Sequence, residues 1–273
     1  MSTVSQNANA GARRIADAFA GSGKRAALMP YLMGGFPDLG LSRAIGEAYA
    51  DGGADLVELG VPFSDPLADG PVIQAAGSRA LAAGATVAGV LEVAATLAER
   101  LPVVIMCYAN LMLARGPERF AADLASAGAS GLIVPDLPLE EAGETLEACD
   151  AAGVALVPLV APTTPDERLA AIGARARGFL YTVSVTGTTG ERAALSDAFA
   201  GVVERAKAHT DVPVALGFGI AGPEHAAQAA AAGADGVIVG SRLVRAAGEA
   251  ADPPAAVREL VAELAAALRA DDA

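Results

Sequence analysis

Short apolar runs alternate with longer amphipathic ones along the whole chain. The runs at 26–35, 54–60, 102–109, 131–136, 153–160, 178–185, 212–219 and 234–240 read as β-strands. Several are apolar on both faces, the mark of parallel strands covered by helices. Between them lie stretches with helical character, at 41–53, 117–128, 140–153, 165–176, 196–210 and 223–233, with a further one at 12–23 before the first strand and a last at 253–270. Several end in Gly, a common helix stop. The phrase AxAG or AxGG recurs before a strand at Ala50–Gly53, Ala125–Gly128 and Ala230–Gly233, and more loosely at Ala151–Gly153. It is the repeated helix-to-strand turn of an α/β chain. Eight strands with intervening helices predict a (β/α)8 TIM barrel with an extra N-terminal helix. No linker or composition break divides it, so residues 1–273 are expected to form one domain.

A barrel places its chemistry at the C-terminal ends of its strands and in the loops after them. Glu58, Tyr108, Asn110, Asp136, Tyr181, Gly217, Gly219, Gly240 and Ser241 occupy such positions. The richest stretch is ADLVELGVPFSDPLADGP (54–71). Its first half is a strand in which Leu56 and Glu58 share a face. Pro62, Pro66 and Gly70 force a loop that carries Asp65 and Asp69. Glu58 follows an apolar run and is expected to be desolvated, which raises a carboxyl pKa and lets it donate a proton near neutrality.

Composition narrows the field. The net charge is −13 and there is no Trp. The absence of a basic patch argues against nucleic-acid binding. Cys107 and Cys149 form no C-x-x-C pair, which fits a reducing compartment. The start has no apolar segment of a secretory signal. The longest nearly apolar run, 101–114, is shorter than the ~20 residues a membrane span needs. A soluble, cytoplasmic protein is expected. His209 and His225 have no metal-ligand neighbours at helical spacing and read as surface or packing residues, so no metal is expected.

Two glycine motifs remain. GFGIAG (217–222) matches G-x-G-x-x-G, but Asp235 stands at the start of the next strand, whereas a dinucleotide fold needs its acid at the end. Gly219 with Gly240 and Ser241 instead ends the last two strands, the corner where many barrels bind phosphate, and 241–250 supplies a short helix there. The long Gly- and Thr-rich run 183–195 reads as a mobile lid before a helix capped by Ser196. GSGKRA (21–26) lacks the spacing and hydroxyl of a P-loop.

The stretch LVELGVPFSDPLADGPVIQAA (56–76) closely resembles the signature of the tryptophan synthase α subunit family. MPYLMGGFPD (29–38), CYANL (107–111), GLIVPDLPLEE (131–141), YTVSVTGTTG (181–190), LGFGI (216–220) and GVIVGS (236–241) resemble the same family in the same order. The resemblance implies a TIM barrel that cleaves indole-3-glycerol phosphate into indole and glyceraldehyde 3-phosphate. It implies a partner β subunit, in an α2β2 heterotetramer, that carries pyridoxal phosphate; this chain itself needs no cofactor. By resemblance Glu58 protonates the ring carbon and deprotonates the side-chain hydroxyl, Asp69 serves the ring nitrogen, and Tyr181 is a site tyrosine. Gly190, Gly219, Gly240 and Ser241 match phosphate contacts. Tyr31, Met106, Tyr108 and Phe218 match pocket walls, with Met106 where leucine is common, a volume-conserving exchange. Thr189 matches a lid residue that closes over Asp69. Pro62, Asp65, Asn110 and Asp136 match positions facing the β subunit.

Other readings stay open at this level: a stand-alone indole-producing lyase, another phosphate-binding barrel isomerase or aldolase, or a subunit that binds without catalysing. A Schiff-base aldolase is poorly served, because Lys24 precedes the first strand and Lys207 lies in a helix.

Overall fold

The computed structural model describes residues 9–183, 192–217 and 219–269, with the backbone alone over 192–199. The strands are β1 (Ala27–Met33), β2 (Val57–Gly60), β3 (Val103–Met106), β4 (Gly131–Ile133), β5 (Ala155–Leu156), β6 (Leu159–Val160), β7 (Leu180–Val183), β8 (Val214–Gly217) and β9 (Gly236–Val239). All neighbours run parallel, in the order β5-β4-β3-β2-β1-β9-β8-β7-β6.

The two ends of that order are one piece of chain. Residues 155–160, expected as part of a single strand, are broken at Pro158. Proline has no N–H for a ladder and interrupts a central strand. Val157 N still donates to Leu132 O at 2.8 Å, and Pro158 O accepts from Tyr181 N at 3.0 Å. The first half therefore pairs with β4 and the second with β7, which closes the sheet into an eight-stranded TIM barrel. The strands are buried on both faces almost throughout, as parallel strands inside a helical shell must be.

The helices are α1 (Ala10–Ala20), α2 (Leu39–Asp51), α3 (Pro71–Ala82), α4 (Val87–Ala98), α5 (Ala109–Leu113), α6 (Pro117–Ser126), α7 (Gly143–Ala152), α8 (Asp166–Gly173), α9 (Arg192–Lys207), α10 (Pro223–Ala231), α11 (Ser241–Glu249) and α12 (Pro253–Ala267). The apolar pattern assigns no element to 71–98, yet two helices form there. Pro71 begins α3, and the Thr86 hydroxyl caps α4 by accepting from Gly89 N at 3.1 Å. Both are ordinary helix-start signals. No single described helix is long and apolar enough to cross a membrane.

The extra helix α1 seals the end of the barrel where the strands begin. The Asn9 side chain caps it by accepting from Ala12 N at 2.8 Å and donates to Asp150 Oδ1 at 2.9 Å and Val154 O at 3.0 Å. Arg177 grips the same Asp150 with two nitrogens, at 3.2 and 3.1 Å. Gly11 N donates to Gly153 O at 2.8 Å, and the Phe19 ring packs tilted against Phe179 with centroids 5.7 Å apart. Lys24 pairs with Asp55 and Lys207 with Asp235, at 2.8 and 2.7 Å. They are the chain's only two lysines, and neither lines the cavity at the opposite end. A Cβ on Gly11 would overlap the Ser130 carbonyl oxygen. Gly11→Ala is therefore expected to lift α1 off the barrel and lower stability by about 1–3 kcal/mol, as overpacking does, measured by urea denaturation.

Candidate active site

Glu58 is the second of the four residues of β2, which delivers it to the open end of the barrel. It lies in register with Tyr31 of β1 and Val104 of β3. Its residue is only 3% exposed, and its Oε2 is buried without a hydrogen-bond partner among the described residues. Burial pushes its pKa from the ordinary 4.5 up to about 8, and the charge of Asp69 adds to the shift.

Asp69 sits in the loop between β2 and α3. The loop is shaped by Gln74, whose side-chain nitrogen donates to Asp69 O at 2.8 Å. Burial raises the Asp69 pKa to about 6, and a hydrogen bond from the Tyr108 hydroxyl opposes the rise by favouring the carboxylate. The two acids therefore differ near neutrality. Glu58 holds its proton while Asp69 is mostly ionised, a division suited to acid and base work in one site.

Glu58 and Asp69 line one cavity of about 1250 Å3, together with Tyr31, Tyr181 and Met106. Two glycines make room for the phenols: a Cβ at Gly60 would overlap the Tyr31 hydroxyl, and one at Gly217 the Tyr181 hydroxyl. Burial, reinforced by the nearby acids, pushes both phenol pKa values well up, so both rings stay neutral donors. Gly219, Gly240 and Ser241 line the same cavity. Gly219 has φ of 79°, a left-handed conformation that glycine adopts without strain. Gly240 is the N-cap of α11, and no side chain caps that helix. A helix start left open in this way offers backbone N–H groups and the positive end of a dipole to an anion.

The family model described as tryptophan synthase alpha chain matches residues 18–271. The chain belongs to the tryptophan synthase alpha chain family. A tryptophan synthase alpha chain from Prochlorococcus marinus strain MIT 9313 is 52% identical over 223 residues, 81% of each chain. One from Rhizorhabdus wittichii is 49% identical over 265 residues, covering 94% of this chain and 96% of the relative. A chain in a crystal structure of tryptophan synthase from M. tuberculosis superposes with a TM-score of 0.86 at 40% identity, covering 94% of this chain and 99% of that one.

Within this alpha-chain barrel, some residues stand where the sequence placed them and others do not. Tyr108, expected as a pocket wall, does not line the cavity. β3 ends at Met106, and Tyr108 caps α5 instead of continuing the strand. Its ring stacks on Phe63 at 5.3 Å, and its hydroxyl accepts from Ala68 N at 3.0 Å, so it braces the Asp69 loop from behind. Pro62, expected on the partner-facing surface, is buried within this chain because it directly follows the buried end of β2. Asp65 and Asn110 are exposed. Asp136 is exposed too, lines the cavity mouth and accepts from Ala109 N at 2.8 Å. Gly190, Thr189 and Phe218 lie outside the described residues, as does most of the lid run.

The sequence reading missed several lining residues. Ile133 stands in register with Met106 on the neighbouring strand, and Leu159 follows the Pro158 break. Strand register points to the first once Met106 is named. Arg242 and Arg245 of α11 also reach the cavity and bring positive charge to the glycine corner.

The raised Glu58 pKa has a consequence for stability. Between the ordinary 4.5 and about 8 the unfolded chain has released this proton while the folded chain keeps it. Stability from this group is thus full below the lower value and is lost as pH rises towards the upper one. Glu58→Gln has no such proton. Its stability relative to the parent is expected to improve between pH 5 and pH 8, by at most about 1.4 kcal/mol per pH unit. Urea denaturation of both proteins at the two pH values measures this, and a constant gap would contradict the buried-acid assignment.

Proposed function

We propose that Glu58 and Asp69 divide the proton transfers of this chain's reaction, and that the corner of Gly219, Gly240 and Ser241 holds the substrate's phosphate. The reaction is the cleavage of indole-3-glycerol phosphate to indole and glyceraldehyde 3-phosphate, the alpha reaction of tryptophan synthase in tryptophan biosynthesis. The observation that carries the assignment of roles is the buried, unpaired Glu58 carboxyl sharing a cavity with a second acid of lower pKa.

The chemistry is a retro-aldol cleavage without redox change. Glu58, protonated at neutral pH, gives its proton to the ring carbon that bears the side chain. Asp69, ionised, stabilises the positive charge that develops at the ring nitrogen and takes the N–H proton. The carbon–carbon bond then breaks, and its electron pair returns to the ring. The neighbouring hydroxyl becomes the aldehyde as its proton passes to Glu58, and the proton on Asp69 returns to nitrogen. Each acid ends as it began. Met106, Ile133 and Leu159 give the indole an apolar bed, and Tyr181 and Tyr31 offer neutral O–H donors nearby.

The partner is the β subunit. A solved relative from Pyrococcus furiosus, 37% identical over 88% of this chain, is described as part of a tryptophan synthase a2b2 complex with mutual activation. Asp65, Asn110 and Asp136, all exposed, are our candidates for that interface, with Leu67 and Leu113, 87% and 58% exposed, as its apolar part. Pyridoxal phosphate belongs to the partner in this proposal, and the chain works as one cytoplasmic domain.

Glu58→Gln and Asp69→Asn are each expected to lower kcat by about 10²-fold or more, as for general acid–base groups, with substrate binding retained in an assay of indole release. Near-normal turnover in Glu58→Gln would remove the assignment. In the parent protein, kcat/KM is expected to rise through pH about 6 as Asp69 ionises and to fall through about 8 as Glu58 loses its proton. A profile flat across that range would contradict the division of roles. Borohydride with substrate should trap no adduct, because both lysines are tied up at the far end of the barrel.

A further inference from the structure

His225 is isolated in sequence but not in space. It is the third residue of α10, directly after the turn that holds Gly219. Its Nδ1 accepts from Ala221 N at 3.2 Å and lies 3.0 Å from Gly219 O. A ring nitrogen carries either a lone pair or a hydrogen. Bare, Nδ1 accepts the Ala221 N–H. Carrying hydrogen, it donates to the Gly219 carbonyl. In either state a single atom of α10 ties down the turn, and no other hydrogen bond to Gly219 O or Ala221 N is found among the described residues.

The turn needs such a tie. Gly219 lies in the left-handed region and Gly222, at its end, is fully extended, so glycines bracket it and give little stiffness of their own. Gly222 as N-cap of α10 has no side chain to hold the backbone. Yet Gly219, Ile220 and Ala221 all line the cavity, as do Gly240 and Ser241.

We propose that His225 is a positioning residue for the phosphate end of the substrate. It fixes the 219–221 turn through Nδ1 and so sets the Gly219 backbone at the distance the phosphate requires. It touches no substrate atom itself. The inference rests on the reading of the glycine corner as the phosphate site.

The test compares the full-length parent with His225→Phe, which keeps a flat ring of similar size but no nitrogen, and His225→Asn, whose amide places a polar atom where Nδ1 stands. Steady-state cleavage of indole-3-glycerol phosphate is measured, with inorganic phosphate as a competing probe. In His225→Phe the KM and the inhibition constant of phosphate are expected to rise together, by about tenfold, the effect of one lost hydrogen bond. The kcat should stay within about twofold, because the acids are untouched. His225→Asn should bring both constants back to within about threefold of the parent, a partial restoration of the same bond. His225 is only part-buried, so the Phe variant is expected to fold; should it not, His225→Ala replaces it in the same comparison. Unchanged constants in His225→Phe would overturn the proposal. So would a fall in kcat at constant KM, or an Asn variant as impaired as the Phe variant. If phosphate fails to compete in the parent protein, the phosphate reading of the corner fails first, and this inference falls with it.

Discussion

The site depends on one carboxyl group being kept out of water. Glu58 stands at the end of a strand, walled by its neighbours in the barrel, with one oxygen that no described group satisfies. Leaving a buried polar atom unpaired costs folding free energy. The same desolvation holds the proton on Glu58 through neutral pH. Asp69 is on a loop, less enclosed, and receives a hydrogen bond that Glu58 lacks. Two residues of the same chemistry thus acquire different protonation states from their surroundings alone, and the reaction needs both states at once.

The barrel supplies those surroundings by separating its two ends. At the end where strands begin, α1, Asn9, Arg177 and the Lys24–Asp55 pair satisfy one another and close the core. At the end where strands finish, Gly60 and Gly217 leave space for phenol hydroxyls, and an uncapped helix start faces the cavity. The unpaired Glu58 oxygen thus lies where a ligand can satisfy it. Pro158 belongs to the same economy of form: it breaks one strand, so that the two halves can bind different neighbours and close the ring.

Much of this was legible in the residues. Apolar runs bounded by Gly marked the strands, and the position of Glu58 after such a run pointed to a desolvated acid. What escaped depends on contacts between distant segments. Tyr108 looked like a strand residue because CYANL continues an apolar run, but β3 ends two residues earlier and the ring turns behind the Asp69 loop. Pro62 matches a partner-facing position by family resemblance alone, and its side chain is enclosed within this chain. The helices α3 and α4 were announced by Pro71 and Thr86, signals that lie in capping rather than in apolar spacing. His225 had no nearby partner in sequence because its partners are backbone atoms, which residue types do not display.

The protonation state of Glu58 in the free protein is the most direct point of measurement. With the glutamate side-chain carboxyl carbon labelled by 13C, and Glu58→Gln used to assign the resonance, its chemical shift is followed against pH. A midpoint near 8 is the required result. A midpoint below 5, in the ordinary carboxylate range, would mean that the strand end is wet and that Glu58 is no proton donor at neutral pH.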